Sequence, residues 1–354
     1  MKIRVLSSGL LSTIQDKGRW GFQAIGMPVA GAMDLYSLKI GNILSGNPEN
    51  AAALEITFKG PTLEVIHGEG LLSCTGADLG LRINDRPCPL WRSITLTAGD
   101  QVSFSGLDGK GCRGYLCFSG GIDVPQVMNS RSTYLRGGIG GMNGRAISSG
   151  DLLETGPLPY LWKRTAGLEC PHHLIPDLFN DLPFRVIPGP QEDKFTDQGK
   201  NTFYSSVYTV TDLADRMGFR LKGTPVEHIS SADIISDAIP LGAVQIPGHG
   251  QPIVMMADRQ TTGGYAKIGV MSSVDVYRLA QKLPGEKIRF TRITLEEALY
   301  IRSLMEQTIL EMKRVRAKYR SRILPKDHFS GDLSGTFSVV LDGVVHRIDW
   351  EEKF

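Results

Sequence analysis

Short apolar runs separated by turn residues dominate the first half of the chain. The segments TLEVI (62–66), SITLTAGDQVSF (93–104) and GYLCFSGG (114–121) either alternate apolar and polar residues or run apolar, with glycines nearby. Runs of this kind, bounded by turn residues, are typical of β-strands. The pattern therefore predicts a mainly β fold with few helices.

Two segments carry helical spacing instead. Thr294 and Glu297 form a capping box, and the apolar residues that follow recur every three or four positions. We therefore expect one long amphipathic helix over 294–320. Asp34 can cap a shorter helix that ends before Gly46.

The C-terminal part of the chain carries a hairpin signal. The segment TFSVVLDGVVHRIDW (336–350) places Asp342-Gly343 between two β-rich runs. An Asp-Gly pair in this setting favours a two-residue hairpin turn.

A proline-rich, irregular stretch divides the chain into two parts. It covers residues 158–183 and lacks both strand and helix periodicity. We predict a first unit over 1–160, a linker over 161–183, and a second unit over 184–354 that includes the long helix and the hairpin.

The two units also resemble each other weakly. The segment IRVLSSG (3–9) is similar to FRVIPGP (184–190), and AGDQVSF (98–104) is similar to PGEKIRF (284–290). The second pair lies at about the same distance from its opening segment in both units. An internal duplication explains this spacing, and chance similarity is the alternative.

Composition and charge exclude several classes of protein. Charged residues make up 21% of the chain and the net charge is +2, so a nucleic-acid or membrane-surface partner is not indicated. The N-terminus lacks a signal-peptide pattern, and no run reaches the roughly 20 apolar residues of a membrane span. The five cysteines form no CxxC pair, which favours reduced thiols in the cytoplasm.

The candidate chemistry lies in the stretch MMADRQTTGGYAKIG (255–269), where a polar run follows an apolar one. We expect Arg259 and Lys267 to form the positive face of a site for a carboxylate or phosphate. Asp258 would orient Arg259 or bind a metal. The alternative is a buried polar network that closes one end of a barrel. The predicted catalytic residues are Asp258, Arg259, Gln260 and Lys267, and the predicted substrate-binding residues here are Thr261, Thr262, Gly263, Gly264 and Tyr265.

Four other side chains are weaker candidates for substrate binding. Arg131 and Arg136 flank hydroxyl residues before a glycine-rich loop, Arg216 follows an acid in the second unit, and Gln191 follows a turn. For each arginine, a structural ion pair is the favoured alternative. The loop RGGIGGMNGR (136–145) fits neither phosphate-loop template, and no spacing of ligands predicts a metal site.

Several long stretches together resemble the allophanate-hydrolase-subunit-2 type, or biotin-dependent carboxyltransferase-like, family. The resemblance runs from about residue 3 to residue 290 and implies tandem cyclophilin-like β-barrels. The stretches that carry it are STIQDKGRWGFQAIGMPVAGAMDLYSLKIGNILSGN, AALEITFKGPTLEV, TGADLGLRINDRPCPLWRSITLTAGD, SGGIDVPQVMNSRSTYLRGGIGGMNGRAI, IPGPQEDKF, TDLADRMGFRLKG and GAVQIPGHGQPIVMMADRQTTGGYAKIG.

Members of this family differ in function. They include the C-type subunit of ATP-dependent 5-oxoprolinase, a KipA-type regulator that binds a KipI-like kinase inhibitor, and part of the carboxyltransferase region of urea carboxylase. This chain carries no biotin-acceptor Met-Lys-Met, so the resemblance favours the oxoprolinase subunit, with no covalently bound biotin. It would act with a B-type (KipI-like) and an A-type (LamB/YcsF-like) subunit. Mg-bound ATP, shared with these partners, would phosphorylate the lactam oxygen of 5-oxo-L-proline and so activate the ring for opening to L-glutamate.

Overall fold

In a computed structural model, the described residues are 1–107, 110–322, 333–341 and 344–352, and they form a mainly β protein with four α-helices. This confirms the predicted fold class. Eleven strands lie in the first half: β1 (Lys2–Ser7), β2 (Leu11–Gln15), β3 (Ala53–Thr57), β4 (Thr62–His67), β5 (Glu69–Gly76), β6 (Leu81–Ile83), β7 (Arg86–Pro87), β8 (Ser93–Thr97), β9 (Gln101–Phe104), β10 (Arg113–Phe118) and β11 (Leu152–Glu154).

These eleven strands form two antiparallel sheets. One has the order β11-β1-β4-β9-β6-β7, and the other has the order β2-β3-β10-β5-β8. The strands β3 and β10 are buried along their whole length, because they lie inside their sheet and are covered on both faces. Apolar residues of both sheets pack into one core, which includes Ile3, Leu54 and Leu116.

The second half is organised around one eight-stranded sheet with the order β20-β13-β14-β17-β16-β19-β12-β21. The two edge strands are neighbours in the chain, separated only by Arg289, so the sheet curls until it is nearly closed. Between Phe184 and Arg292 this half contributes ten strands, eight of which form this sheet. They are β12 (Phe184–Pro188), β13 (Tyr208–Val210), β14 (Gly218–Lys222), β15 (Asp233–Ala238), β16 (Ala243–Gln245), β17 (Ile253–Met255), β18 (Thr262–Tyr265), β19 (Lys267–Met271), β20 (Lys287–Ile288) and β21 (Phe290–Arg292).

Strands β15 and β18 pair only with each other among the described strands and form a two-stranded ribbon. Most of β15 is exposed, and the Ile235 side chain is almost fully accessible. The ribbon is joined to the barrel through β19, which follows β18 after a single residue, Ala266.

The helices are α1 (Leu35–Leu44), α2 (Asp197–Ser205), α3 (Ser273–Leu279) and α4 (Leu295–Arg322). Both predicted caps are present. The Asp34 carboxylate accepts from the Ser37 amide at 3.1 Å, while Thr294 and Glu297 exchange the two bonds of a capping box at 2.7 and 3.2 Å. The long helix therefore begins where its sequence predicts and extends two residues further.

Helix α4 packs against both halves of the molecule. Its residues Ile309 and Met312 share a core with Ile40 and Ile43 of α1 and with Tyr277 of α3. The long helix thus covers the interface between the two halves, which we call the seam, and its apolar contacts stabilise that interface.

Strands β22 (Leu333–Leu341) and β23 (Val344–Glu352) pair antiparallel, which confirms the predicted pairing, while the Asp342-Gly343 turn lies outside the described residues. The internal duplication and the unit boundaries stay predictions. The opening segments of the two units form strands β1 and β12. The later segments pair differently: β9, from AGDQVSF, lies between β4 and β6, whereas PGEKIRF contributes to β20, which pairs with β13, and to β21, which pairs with β12.

Candidate functional site

The polar run at 258–262 lies at the seam between the two halves. Strand β17 ends at Met255, and a turn then carries Asp258 and Arg259 before β18 begins at Thr262. Both charged side chains are buried. They have different partners, so the run does not form a single cluster.

The Asp258 carboxylate binds Arg216, not Arg259. Arg216 donates from Nε to one oxygen at 3.0 Å and from Nη2 to the other at 2.8 Å, which is a two-pronged ion pair. The expectation that Asp258 orients Arg259 is therefore wrong. Arg216 reaches Asp258 because the two residues lie beside the paired strands β14 and β17.

Arg216 also bonds to the first half of the molecule. Its Nη1 donates to the Glu55 carboxylate and its Nη2 to the Gly31 carbonyl at 2.6 Å. Glu55 in turn accepts from the Tyr115 hydroxyl at 2.7 Å. One buried cation thus joins a carboxylate of each half, and we call Asp258, Arg216 and Glu55 the seam triad.

The network continues to the cap of α1. The Tyr115 hydroxyl accepts from the Asp34 amide at 2.7 Å, and the Asp34 carboxylate accepts from Gln281 Nε2 at 3.2 Å. Gln281 comes from the second half, so the network crosses the seam at two places, Arg216 and Gln281. Burial raises the pKa of the Asp34 carboxyl, and the hydrogen bonds from Ser37 and Gln281 oppose that rise.

The cation and the two carboxylates of the triad stabilise each other's charged forms. Burial alone would lower the pKa of Arg216, but the carboxylates of Asp258 and Glu55 raise it overall. Burial raises the pKa of the Asp258 carboxyl, and Arg216 opposes that rise. The short, two-pronged contact identifies an ion pair that stays charged.

Arg259 is in the opposite situation, because it forms no ion pair with any described residue. It is 7% exposed, and it donates from Nε to the Ile239 carbonyl at 3.0 Å and from Nη1 to the Met256 carbonyl at 3.2 Å. Burial without a carboxylate lowers its pKa to about 10. The guanidinium is therefore held in place while its charge is not neutralised.

Arg259 lines a cavity of about 350 Å³, which we call the Arg259 pocket. A first-half loop supplies one wall, and second-half loops supply the others. Its lining is mostly apolar, with the amides of Gln23 and Gln260 and the hydroxyl of Thr261 as further polar groups. A small apolar pocket with one buried cation matches a compact anion with an apolar body.

Lys267 lies in a separate cluster. Its ammonium contacts the Asp237 carboxylate at 2.9 Å, and Gln191 bonds to the same carboxylate and to the Lys267 amide. The Lys267 charge is therefore neutralised within the protein, and its contacts do not place it on one positive face with Arg259. The carboxylate of Asp237 comes from the β15–β18 ribbon, which the sequence patterns did not reveal.

The remaining residues of the stretch form the ribbon. Thr262, Gly263, Gly264 and Tyr265 make up β18, where Thr262 pairs with Ala238. A Cβ on Gly263 would approach the Ile239 Cδ1 atom to 2.6 Å, so a larger residue there would require the Ile239 side chain to shift. Binding of substrate by these four residues stays a prediction.

Arg131 and Arg136 are placed around the glycine-rich loop. Arg131 pairs with Asp123 at 3.1 Å, and exposed Arg136 lies 3.9 Å from Asp215. The loop amides donate to the loop's own neighbourhood, for example from Gly144 to the Gly140 carbonyl at 2.6 Å. The loop is thus a set of turns, which agrees with the failure of the phosphate-loop templates.

Glu55 and Arg113 were missed by the sequence patterns. Glu55 is an acid within the apolar strand β3, and Arg113 opens the buried strand β10. A lone charge inside a buried strand was the available signal, because such a group needs a partner or a ligand. Within the described residues, no cluster of three or more metal-ligating side chains occurs, and no helix is both long and apolar enough to cross a membrane.

The chain is similar to known proteins over most of its length. The chain is 36% identical over 300 residues to the C-type subunit of 5-oxoprolinase from Escherichia coli, covering 85% of this chain and 94% of that protein. It is 30% identical to urea amidolyase of Saccharomyces cerevisiae, covering 88% of this chain and 17% of that one.

Solved structures agree with this similarity. The chain matches urea amidolyase of Kluyveromyces lactis with a TM-score of 0.81 and 29% identity, covering 88% of this chain but only 20% of that one. Residues 25–292 match the family described as carboxyltransferase domain, subdomain A and B. The chain therefore belongs to the carboxyltransferase domain family, subdomains A and B.

Proposed function

We propose that this chain is the C-type subunit of an ATP-dependent 5-oxoprolinase and that its Arg259 pocket binds the substrate carboxylate. The observation that supports the site is a buried guanidinium without a carboxylate partner among the described residues. A ligand carboxylate would supply the missing charge.

The extent of the similarity supports the oxoprolinase subunit over the longer relatives. The chain covers 94% of the Escherichia coli protein but only 17% of the Saccharomyces cerevisiae urea amidolyase. It therefore corresponds to nearly the whole of the first protein and to a small part of the second.

The chemistry of the pocket matches 5-oxo-L-proline. The substrate has one carboxylate for Arg259, a compact ring for apolar walls such as Pro240 and Leu241, and a lactam for the amides of Gln23 and Gln260. A guanidinium can bind both carboxylate oxygens and so fix the orientation of the ring. Positioning of this kind is what the C-type subunit would add to catalysis.

The Arg259 pocket does not match Mg-bound ATP. It holds a single charged side chain, and six amides of the glycine-rich loop already donate within the protein. We therefore assign the nucleotide to the A-type and B-type partner subunits. On this proposal the chain has no oxoprolinase activity alone.

Arg259→Ala tests the assignment. Purified A-type, B-type and C-type subunits are combined, and oxoproline-dependent ATP hydrolysis is measured. We expect kcat/KM to fall about 100-fold, because a charged hydrogen bond contributes roughly 1.5–3 kcal/mol. Arg259→Lys should recover little, since an ammonium cannot reproduce the two-pronged contact. Arg302→Ala, which removes an exposed arginine on α4, is the matched control and should retain full activity.

Three outcomes would contradict the proposal. Equal hydrolysis without the C-type subunit would remove its catalytic role, and full activity of Arg259→Ala would remove the role of the pocket. The structural similarity to urea amidolyase makes carboxyl transfer the competing function. Capture of a biotinylated carrier protein by this chain, together with carboxyl transfer in place of oxoproline-dependent hydrolysis, would establish it instead.

A further inference from the structure

A second cavity of about 350 Å³ lies between the two halves. Its walls are mostly apolar and include Leu11 and Phe58 from the first half and Met217 and Phe219 from the second. Arg113, at the start of β10, also lines it, and we call it the Arg113 cleft. The oxoprolinase proposal does not use this cavity.

Arg113 is 6% exposed and forms no ion pair with any described residue. Its Nη1 donates to the Ala280 carbonyl and contacts the Cys112 sulfur at 3.2 Å, but its Nε finds no acceptor among the described residues. Phe219 lies beneath the guanidinium, with 5.7 Å between the guanidinium carbon and the ring centroid. The Arg113 guanidinium is thus stacked on Phe219 and hydrogen-bonded through Nη1. Its charge lacks a carboxylate partner and its Nε lacks an acceptor among the described residues.

Two other buried arginines of this molecule are paired with carboxylates. Arg216 binds Asp258 and Glu55, and Arg278 contacts Asp275 at 2.6 Å. The fold supplies carboxylates to these two arginines, whereas buried Arg19 forms no ion pair, and its Nε and Nη1 have no acceptor among the described residues. At Arg113 it supplies a cavity instead, and an unpaired buried charge is costly unless something binds to it.

We propose that the Arg113 cleft is a second anion site, for a small monocarboxylate with an apolar body. The guanidinium would bind the carboxylate, and the side chains of Leu11, Phe58 and Met217 would surround the rest of the ligand. Other charged side chains of both signs also border the cleft, namely Asp212, Asp215, Asp258, Arg136, Arg216 and Lys282. Because acids and bases both line the cleft, its mostly apolar walls are what favour a monocarboxylate with an apolar body over a phosphate.

Direct binding to the isolated chain tests this inference independently of any oxoprolinase activity. Benzoate is the probe, and benzamide, a neutral molecule of the same shape, is its control. Titration calorimetry is carried out on an Arg259→Ala chain, so that the other carboxylate pocket cannot contribute. We expect benzoate to bind and benzamide to bind at least about 10-fold more weakly, because a charged hydrogen bond is worth about 10- to 100-fold in affinity.

Variants of Arg113 assign the binding to the cleft. Added to the Arg259→Ala chain, Arg113→Gln should weaken benzoate binding about 10- to 100-fold, whereas Arg302→Ala should leave it unchanged. Arg113→Lys keeps the charge and serves if the glutamine variant fails to fold; it should weaken binding about 10-fold. Three results would each overturn the proposal. The first is equal binding of benzoate by the Arg259→Ala chain and by both Arg113 variants made in it. The others are no benzoate binding by the Arg259→Ala chain, and stronger binding of inorganic phosphate than of benzoate.

Discussion

Arg216 should matter far more for stability than Arg259, although both are buried arginines at the seam. Arg216→Ala removes both bonds to Asp258 and the bond to Glu55, and it leaves two carboxylates buried without their cation. Removing one partner of a buried ion pair costs about 3–5 kcal/mol. Because two acids are stranded here, we expect a loss of about 5 kcal/mol in the free energy of unfolding.

Arg259→Ala should lower the free energy of unfolding much less. It removes two bonds to carbonyl oxygens, each worth about 0.5–1.5 kcal/mol. It also removes a buried charge that has no carboxylate partner among the described residues, which offsets much of that loss. We expect a net loss of about 1 kcal/mol.

Urea unfolding, followed by circular dichroism and tryptophan fluorescence, measures both losses. The loss for Arg216→Ala should shrink between about pH 7 and pH 4. Burial raises the pKa of Asp258, and without Arg216 nothing of comparable size opposes that rise. A carboxyl whose folded pKa is raised contributes stability below its unfolded pKa of about 3.9, and loses that contribution as the pH rises through the folded pKa.

Arg216→Lys is the control that keeps a positive charge without the two-pronged geometry, and it should recover part of the lost stability. Equal losses for Arg216→Ala and Arg259→Ala would refute the distinction between a paired and an unpaired arginine. A loss that stays constant over the same pH range would show that stranded carboxylates are not its cause.

Two further predictions concern the periphery of the fold. Arg145 binds both Asp151 oxygens at 2.7 Å and lowers the pKa of that carboxyl, so the stability gap between wild type and Arg145→Ala should be present at neutral pH and close as the pH falls below about 4, measured by urea unfolding. Thr294→Ala should cost about 1 kcal/mol and speed amide hydrogen exchange in the first turn of α4, whereas exchange in α1 should be unaffected.

The elements that the sequence predicted correctly are those fixed by nearby residues. The Asp34 cap and the Thr294–Glu297 box each involve residues three positions apart, so their signals are complete within one turn of chain. The strand pairing around Asp342-Gly343 is equally local, since β22 and β23 are adjacent in sequence.

The partners within the candidate site could not be predicted, because they are distant along the chain. Asp258 meets Arg216 across 42 positions, and Arg216 meets Glu55 across 161 positions. A run of polar residues after a strand shows that partners or ligands are needed, but it does not show which residue receives which. The sequence therefore predicted Asp258 and Arg259 as one unit, whereas each has its own surroundings.

This separation explains why a costly polar run is placed at the end of a core strand. Asp258 turns towards Arg216 and helps to join the halves, while the next side chain, Arg259, turns into a pocket between them. Arg216 of the seam triad bonds both to Asp258, which is next to Arg259, and to Gly31, two residues after Val29 in the opposite wall of the pocket. If Arg259 binds substrate as proposed, a mutation of the triad should weaken that binding only as far as the contact between the halves loosens. A mutation of Arg259 should weaken it in a fully folded chain.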